Sequence, residues 1–170
     1  MRFLVLLFAT ATSVLCADAT LWGPVEGGLQ LGIGVASVAV KLIRSRVAEP
    51  RLRILLKNVG SEPRDVLVGY SAPVDLYNVK ITTLGPSARE QPVLDLKALQ
   101  AAPSSVLLPT IAHLQPGEVR EFLYPLRQLI CVVNRTDVML GTLLEQGYSV
   151  RATFESPGVT LATPDLIYMW

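Results

Sequence analysis

Only a few side chains in this chain have the chemistry of general acids, bases or nucleophiles. His113 is the single histidine, and it stands between Ala112 and Leu114. A serine, cysteine or threonine nucleophile activated by an imidazole would have to use it, and no Gly-x-Ser-x-Gly elbow accompanies it. One histidine and, outside the first nineteen residues, one cysteine cannot assemble a zinc site of His and Cys ligands. We therefore expect His113 to be a structural or surface residue.

Two pairs of carboxylates lie close together in the sequence. A glycosidase needs two Asp or Glu side chains about 5–10 Å apart, and the candidates are Glu118 with Glu121 and Glu62 with Asp65. Side chains three residues apart on a strand face opposite sides of the sheet, which separates the first pair. The second pair flanks a Pro-Arg dipeptide in a turn, where we expect both carboxylates to be solvated. A calcium site built from loop carboxylates stays open, but no recognisable spacing supports one.

The glycine-rich stretches do not match a phosphate-binding loop. Gly27-Gly28 and Gly32-x-Gly34 lie within strand-like alternation, and neither is followed by a helix or by Lys-Ser/Thr. Glycine inside a strand instead marks a bulge or a close approach of another backbone. We predict no catalytic residues, no cofactor and no metal ligands, and hence a protein that is not an enzyme.

The first nineteen residues have the pattern of a cleavable signal peptide. Arg2 supplies a positive amino-terminal region, residues 3–15 are apolar, and Ala17-Asp18-Ala19 offers small residues at both positions that signal peptidase inspects. We expect cleavage near Ala19 and a single mature domain, residues 20–170, that is secreted or periplasmic. Cys16 is an alternative lipid attachment site, because bacterial lipoproteins are cleaved just before a cysteine. Leu15 stands where such sites require a small residue, which disfavours lipidation.

The second cysteine and a sequon raise two questions of covalent chemistry. Cys131 lies in the apolar run 129–133, and after cleavage at Ala19 it has no intrachain partner. We expect it to be a small buried hydrophobe, with an intermolecular disulfide as the alternative. Asn134-Arg135-Thr136 is an N-glycosylation sequon, and whether Asn134 carries a glycan depends on the host.

Composition indicates which partners to expect. The formal net charge is +1, which supplies no general attraction to nucleic acid or to a membrane surface. Although 51% of the residues are hydrophobic, the apolar runs after the leader are far shorter than the roughly 20 residues of a membrane-spanning helix. We expect no nucleic-acid partner and no transmembrane helix in the mature chain.

One segment departs from this charge balance. Residues 41–57 contain a single acid, Glu49, and six basic residues: Lys41, Arg44, Arg46, Arg51, Arg53 and Lys57. Two interpretations remain open for this basic cluster. It is either the solvent face of two neighbouring strands or a binding patch for an anionic partner.

Alternation of apolar and polar residues, the period of a half-buried strand, recurs along the mature chain. It is cleanest over residues 51–57, where Leu52, Ile54 and Leu56 alternate with basic residues. Further strand patterns lie at 29–35, 38–42, 66–68, 77–81, 118–126, 148–154, 161 and 166–170. This pattern predicts an all-β fold, an antiparallel β-sandwich of seven to nine strands.

Breaker residues and local composition predict the connections. Residues 20–28 are expected to form an opening loop, and Glu49-Pro50 to break the strand pattern. Strand 51–57 is expected to pair with 66–68 across a polar turn. Residues 93–102 are the one segment of helical composition, limited to about two turns. Residues 115–118, Gln-Pro-Gly-Glu, predict a type II turn, in which glycine accepts the positive φ of the third position.

Two segments resemble bacterial immunoglobulin-like or fibronectin type III-like β-sandwich domains. Residues 51–60, RLRILLKNVG, are similar to a strand that ends in Asn-x-Gly before a polar turn. Residues 114–118, LQPGE, and 144–152, LEQGYSVRA, are similar to a proline-glycine turn before one strand and a tyrosine near the start of a later strand. The opening Trp22-Gly23 with Gly28-Leu29-Gln30 also resembles segments of secreted bacterial proteins.

The resemblance implies a role for two residues of strand 148–154. Tyr148 would be a tyrosine-corner residue, whose hydroxyl bonds to upstream backbone while its ring packs. Val150 would occupy the place of a cysteine in antibody-type domains, and the chain lacks the paired core cysteines of those domains. The resemblance implies a fold and not an activity, because sandwiches host many unrelated functions.

These observations favour a function without catalysis. We expect a secreted or periplasmic binding module for a protein partner, acting through loops or an exposed sheet edge. The alternatives are an envelope structural or accessory protein that self-associates and, more remotely, a small outer-membrane β-barrel, suggested by the terminal Tyr168-Met169-Trp170. Long loops are often functional, which makes 85–92 and 103–110 the candidate contact surface, with Arg89, Glu90, Ser104 and Ser105.

Overall fold

The computed structural model describes residues 19–42, 45–70, 78–85, 93–95, 109–133 and 136–168. Their strands are β1 (Thr20–Glu26), β2 (Leu29–Leu42), β3 (Ser45–Asn58), β4 (Arg64–Tyr70), β5 (Val79–Leu84), β6 (Val93–Asp95), β7 (Pro109–Leu114), β8 (Val119–Pro125), β9 (Ile130–Val133), β10 (Thr136–Met139), β11 (Ser149–Ser156), β12 (Val159–Ala162) and β13 (Leu166–Ile167). A 3-10 turn spans Leu126–Gln128, and a helix, α1, spans Leu140–Glu145. The all-β prediction is confirmed.

The strands pair antiparallel in four sheets across the described ranges. Sheet A has the order β1-β2-β3-β8, and sheet B is the pair β4-β7. Sheet C has the order β12-β11-β5-β6, with β13 also paired to β11, and sheet D is the hairpin β10-β9. The thirteen strands exceed the seven to nine expected, since several are segments of two to four residues that are too short to show a clear alternation in the sequence.

Apolar side chains from all four sheets and from α1 belong to one hydrophobic cluster. Sheet A contributes one face of β2 and one face of β3, including Leu31, Ile33, Leu52, Ile54 and Leu56, which are fully buried. Sheet C contributes the alternating face of β11, Val150, Ala152 and Phe154, which is also fully buried. The strand prediction at 51–57 is therefore confirmed, and the period-2 pattern there does correspond to burial of one face.

The predicted hairpin between 51–57 and 66–68 is wrong. Strand β3 pairs with β2 and β8, whereas β4 pairs with β7. The polar segment 59–63 therefore leads from sheet A to sheet B and does not reverse the chain within one sheet. Local turn chemistry predicts that a segment bends, but the partner of each strand is decided by contacts distant in the sequence.

Two other segments expected to interrupt the strands are themselves strands. Residues 20–26 form β1, with a bulge between Trp22 and Val25, so the opening loop was a wrong prediction. The strand also continues through Glu49-Pro50, where Pro50 pairs with Ser37. Strand β8 ends opposite Arg51, so Pro50 lies beyond its reach, and proline is tolerated where no neighbouring strand needs its amide.

Helical structure falls elsewhere than expected. Residues 93–95, the described part of the segment predicted to be helical, form β6 and pair with Lys80–Thr82. The helix α1 follows β10 and buries Leu140, Leu143 and Leu144, the i, i+3, i+4 spacing of an amphipathic helix. The helix is too short for this period to be distinct in the sequence. In the described part of the chain, no helix has the length and apolarity that a membrane crossing requires.

The predicted type II turn at 115–118 is confirmed. Gly117 has a φ of 79°, and the N–H of Glu118 donates to the carbonyl of Gln115 at 2.9 Å. The Glu118 carboxylate in turn accepts the N–H of Gln115 at 2.8 Å. This turn connects β7 of sheet B to β8 of sheet A.

Candidate functional site

The hairpin of β2 and β3 is longer than the strands on either side of it. Strand β1 pairs with β2 only as far as Gly34, and β8 pairs with β3 only as far as Arg51. The six pairs from Ser37–Pro50 to Leu42–Ser45 therefore form a two-stranded extension with no further described strand on either edge. We call it the ribbon, and at about 3.3 Å per residue it is about 20 Å long.

The ribbon contains part of the basic cluster. Lys41 and Arg46 are register partners in it, so two basic residues stand opposite each other one pair from its end. Glu49 is the acid nearest to them in the sequence.

At the base of the ribbon, an ion-pair cluster joins β3 to the 3-10 turn. The buried carboxylate of Glu49 contacts the Arg51 guanidinium at 3.2 Å and the Arg127 guanidinium at 2.6 Å. Two residues further along β3, Arg53 contacts Glu121 of β8 at 2.6 Å. Arg127 is 66% exposed, whereas Arg51 and Arg53 are each less than 30% exposed. This face of β3 is therefore basic, and the carboxylates of Glu49 and Glu121 partly screen its charge.

The same face ends in an aromatic contact. The Trp22 ring lies against Gly32, where a Cβ atom would stand 2.9 Å from the ring. The ammonium of Lys57 lies 5.7 Å from the centre of that ring, within reach of a cation–π interaction. The close approach of another backbone expected at the strand glycines is confirmed at Gly34, whose Cβ would stand 2.7 Å from the carbonyl oxygen of Ala19, whereas at Gly32 the neighbours are side chains.

At the opposite end of β3, three turns meet around Asn58, which is fully buried. Its Nδ2 donates to the carbonyls of Glu62 and Leu114 at 2.8 and 2.9 Å, and its Oδ1 accepts the N–H of Gly60 at 2.9 Å. Its own carbonyl accepts the N–H of Gly117 at 2.8 Å. The N–H groups of Val59 and Gly60 bond to the carbonyl of Gly28, which ties in the β1–β2 turn.

We call the turns gathered at Asn58 the loop end. An open groove of about 500 Å³ lies beside them, lined by Glu26, Gly27, Ser156, Gly158, Val159 and Thr160, so the β11–β12 turn belongs to the same end. Glu26, Glu62 and Glu155 are exposed there. No ion pair of these three carboxylates occurs within the described residues.

The residues singled out for acid–base chemistry lie on separate parts of the surface. His113 and Asp65 are register partners on β7 and β4, and their side chains contact through Nδ1 and Oδ1 at 2.5 Å, both more than 60% exposed. Glu118 contacts Arg120 at 3.7 Å, while Glu121 contacts Arg53. The predicted exposure of Glu62 and Asp65 is confirmed, although Asp65 belongs to β4 and not to a turn. Glu118 precedes β8, so the predicted separation from Glu121 by strand alternation does not apply to it. The pairing of His113 was not foreseen.

An Asp–His pair orients an imidazole, but nucleophilic catalysis also needs a hydroxyl or thiol at its other nitrogen. The contact that the structure describes for His113 is the one with Asp65. In the described ranges, no group of three or more His, Cys, Asp or Glu side chains is arranged to hold a metal ion. These findings leave the ribbon and the loop end as the two distinctive surface features.

Cys131 belongs to the core, as expected. It lies on β9, is fully buried and has no disulfide partner among the described residues. Burial raises the pKa of its thiol from 9.0 to about 11, because a thiolate is poorly solvated in an apolar environment. An intermolecular disulfide, the alternative stated above, would require this thiol to become exposed first.

We expect Cys131 to make the folded protein less stable as the pH rises from 9 to 11. Below pH 9 the thiol keeps its proton in both states, whereas above it only the unfolded chain ionises. The difference of two pKa units corresponds to a loss of about 2.7 kcal/mol once the pH has passed 11. This is checked by measuring the free energy of unfolding of wild type and of Cys131→Ala between pH 8 and 10.5. All other titratable groups are the same in both proteins, so a difference in pH dependence comes from Cys131. Parallel curves for the two proteins would contradict it.

Several predictions concern residues outside the described ranges. These are the signal peptide with Cys16, most of both candidate contact loops with Arg89, Glu90, Ser104 and Ser105, the sequon residue Asn134, and Trp170. Tyr148 is described, and its ring packs against Gly85, where a Cβ would stand 3.0 Å from it. The hydroxyl bond of a tyrosine corner stays a prediction.

Comparison of the chain with protein-family models, with curated proteins and with solved structures finds no match. Sequence reasoning identified the charges of the ribbon but missed the ribbon itself, because Glu49-Pro50 was interpreted as a break. The alternation of Val38, Val40 and Leu42 did predict a strand at 38–42, but the pattern was not continued through Glu49-Pro50 to residues 51–57.

Proposed function

We propose that this protein is a secreted or periplasmic binding module that catalyses no reaction and contacts a protein partner through the ribbon. The observation that carries the proposal is the extension of the β2–β3 hairpin by six residue pairs beyond β1 and β8. The six residue pairs of this extension form no backbone pairs with β1 or β8. Its two edges offer backbone N–H and C=O groups to another chain, as in β-strand addition.

Charge supports the same surface. Five of the six residues of the basic cluster belong to these two strands: Lys41 and Arg46 to the ribbon, and Arg51, Arg53 and Lys57 to the part of β3 beyond it. The partner contact would therefore be electrostatically steered, with its affinity falling as salt is added. We thus interpret the basic cluster as a binding patch for an anionic partner, and not merely as a solvent face. The ion pairs with Glu49 and Glu121 position its arginines.

We propose further that residues 20–170 form one immunoglobulin-like β-sandwich, preceded by a signal peptide. The antiparallel sheets and the single hydrophobic cluster that they share support this fold. The buried Asn58 of the Asn-x-Gly segment and the confirmed type II turn support the resemblance on which it rests. In such domains loops and free edges, and not the core, decide the function.

A pull-down from envelope extract tests the role of the ribbon. We expect wild type to retain a partner and Lys41→Glu/Arg46→Glu to lose it, at least tenfold in the amount captured. The matched control is Lys80→Glu/Arg151→Glu, which makes the same change in net charge on exposed positions of sheet C. Among the described side chains, the ion pair that it removes is the exposed one of Arg151 with Asp165, which contributes little to stability.

The control variant should retain the partner. Equal capture by all three proteins would show that the ribbon is not the contact surface, and capture of nothing by wild type would contradict a binding module. Thermal unfolding of each variant, run alongside, shows whether a loss comes from the surface or from the fold.

A further inference from the structure

The two edges of the ribbon differ in what they offer to another strand. On β3, Pro50 has no N–H to donate, and a proline in an edge strand discourages pairing with a further chain. The 3-10 turn lies at the base of the same edge, where Arg127 contacts Glu49 at 2.6 Å. A strand added along β3 would therefore meet a proline and an existing contact.

The edge of β2 has neither obstacle. Beyond Gly34, where pairing with β1 ends, residues 35–42 pair only with β3 among the described strands. Their sequence, VASVAVKL, contains no proline, glycine or acidic residue, and valine is favoured in strands. At about 3.3 Å per residue, this segment offers about 26 Å of backbone edge. An edge of this kind accepts a further strand through its backbone N–H and C=O groups.

A side chain of β1 shows how a strand on this edge reaches β3. Trp22 is the register partner of Gly32, and Gly32 is the partner of Leu55 on β3. Gly32 has no side chain, so the Trp22 ring lies over it and stands 5.7 Å from the Lys57 ammonium. A side chain on the edge strand therefore already contacts the basic face of β3 at one position.

Arg51 stands at the corresponding position beyond the end of β1. Its register partner on β2 is Ala36, which places only a methyl group between Arg51 and the open edge. Two strand spacings of about 4.8 Å separate Arg51 from a strand added there, and an arginine and an acidic side chain together span that distance. The guanidinium contacts Glu49 through Nη2 at 3.2 Å. Its Nε is buried and has no hydrogen-bond partner in the described part of the chain, so a further acceptor beside it would be favourable.

Charge favours an acidic occupant of this edge. The outer face of β3 carries Arg51, Arg53 and Lys57, and the carboxylates of Glu49 and Glu121 balance only part of that charge. Backbone hydrogen bonds form with an added strand of almost any sequence. The charge of its side chains therefore decides which partner is preferred.

We propose that the partner contributes an extended acidic segment, which pairs antiparallel with residues 35–42 of β2 and places a carboxylate opposite Ala36, against Arg51. The proposal rests on the proposed binding role of the ribbon and names the edge and the chemistry of its partner. The segment runs in line with β1 and ends where β1 begins at Thr20. Backbone pairing holds it, and the charged hydrogen bond to Arg51 selects it.

Fluorescence anisotropy with a labelled octapeptide tests the acidic contact. The probe alternates threonine and valine and has glutamate as its penultimate residue, which antiparallel pairing with residues 35–42 places opposite Ala36. A second peptide has glutamine there. We expect the glutamine peptide to bind about tenfold more weakly, because hydrogen bonds to a charged group are the stronger ones. Equal affinity of the two peptides overturns the inference.

Two pairs of variants locate the contact. Arg51→Gln and Arg127→Gln each remove one charge and one ion pair of Glu49, and only the first is expected to abolish the preference for glutamate. Ala36→Glu keeps both ion pairs and supplies Arg51 with a carboxylate in the same chain, so it too should abolish the preference. Ser37→Glu, on the opposite face of β2 and exposed, should retain it. Retention in Ala36→Glu, or loss in Ser37→Glu, overturns the inference.

N-methylation of the probe tests strand addition itself. Two versions of the glutamate peptide carry N-methyl groups at alternate residues, one at odd and one at even positions. In an added strand only one of these two sets of N–H groups faces β2. We expect one version to lose binding and the other to retain it, whereas equal binding of both would show a contact without strand pairing and overturn the inference.

The pull-down from envelope extract separates failure of this inference from failure of the proposed function. We expect Ala36→Glu to lose the captured partner, as Lys41→Glu/Arg46→Glu does, and Ser37→Glu to keep it. Capture that is lost on ribbon reversal but kept in Ala36→Glu would leave the ribbon as the binding surface and overturn the acidic strand at Arg51. A chain that is dimeric in sedimentation velocity and binds neither peptide would give the edge to a second copy, which also overturns the inference.

Discussion

Replacing Asn58 by aspartate is expected to lower the free energy of unfolding by about 4 kcal/mol. The Asn58 amide donates two hydrogen bonds, to the carbonyls of Glu62 and Leu114, inside the core. A carboxylate has no hydrogens to donate, so both carbonyls would lose their partner and face a negative charge. Each unsatisfied buried group costs about 1–3 kcal/mol, and an unpaired buried charge costs more.

Asn78→Asp is the matched control for this substitution. Asn78 is half-buried, and its amide donates one hydrogen bond to the carbonyl of Leu67 at 3.3 Å. We expect this variant to lose about 1 kcal/mol. Chemical denaturation at neutral pH measures both proteins against wild type, and equal losses would show that Asn58 has no special role in holding the turns together.

A second consequence concerns the loop end as a surface. Asn58 is the residue through which the segment 59–63, the turn 115–118 and the end of β7 contact one another. The substitution is therefore expected to loosen these turns before the rest of sheet A. Hydrogen exchange would show this as faster exchange at Gly60 and Gly117, whose N–H groups bond to Asn58. Uniform acceleration across all the strands would indicate global destabilisation instead.

Gly23→Ala is expected to destabilise the protein by about 3 kcal/mol. A Cβ on Gly23 would lie 1.8 Å from the carbonyl oxygen of Ala162 and 2.9 Å from its carbon. These atoms are backbone, so no rotamer change can relieve the overlap, and β1 would have to move away from β12. Overpacking of this kind usually costs about 1–3 kcal/mol, and more when backbone must shift.

The control is Gly141→Ala on α1. Its Cβ would meet Cβ of Leu126 at 3.6 Å, an ordinary contact. Because alanine is the better helix former, we expect this substitution to stabilise the protein by about 0.5–1 kcal/mol. Denaturation midpoints of the two variants should therefore shift in opposite directions. Movement of β1 would also change the environment of Trp22, which near-ultraviolet circular dichroism detects.

Strands β2 and β3 show which features can be predicted from the local sequence and which cannot. Alternation at 29–35 and at 51–57 predicted two strands and their buried faces correctly, because which face of a strand is apolar is a property of the strand itself. The passage of β3 through Pro50 was not predictable in this way. Whether a proline interrupts a strand depends on whether a neighbour needs its amide, and that is decided by where β8 ends.

At the loop end, too, some features follow from the local sequence and others from contacts between distant residues. The turn at 115–118 could be predicted because proline and glycine restrict their own backbone angles. The hydrogen bonds by which Asn58 joins this part of the chain to the segment after β3 could not be predicted, because Leu114 is 56 residues away in the sequence. The contact between His113 and Asp65 likewise depends on the register of β4 with β7, which no pattern within either strand specifies.

The sequence by itself determined the all-β class, the apolar face of the main strands, the core position of Cys131 and the presence of a basic cluster. Each of these follows from residues near one another in the chain. Only the tertiary structure decided which strands pair, how far the β2–β3 hairpin extends beyond its neighbours and which turns gather at Asn58. Those features arise from backbone pairing between distant segments, because the apolar pattern of one strand fixes its buried face but not which strand lies beside it.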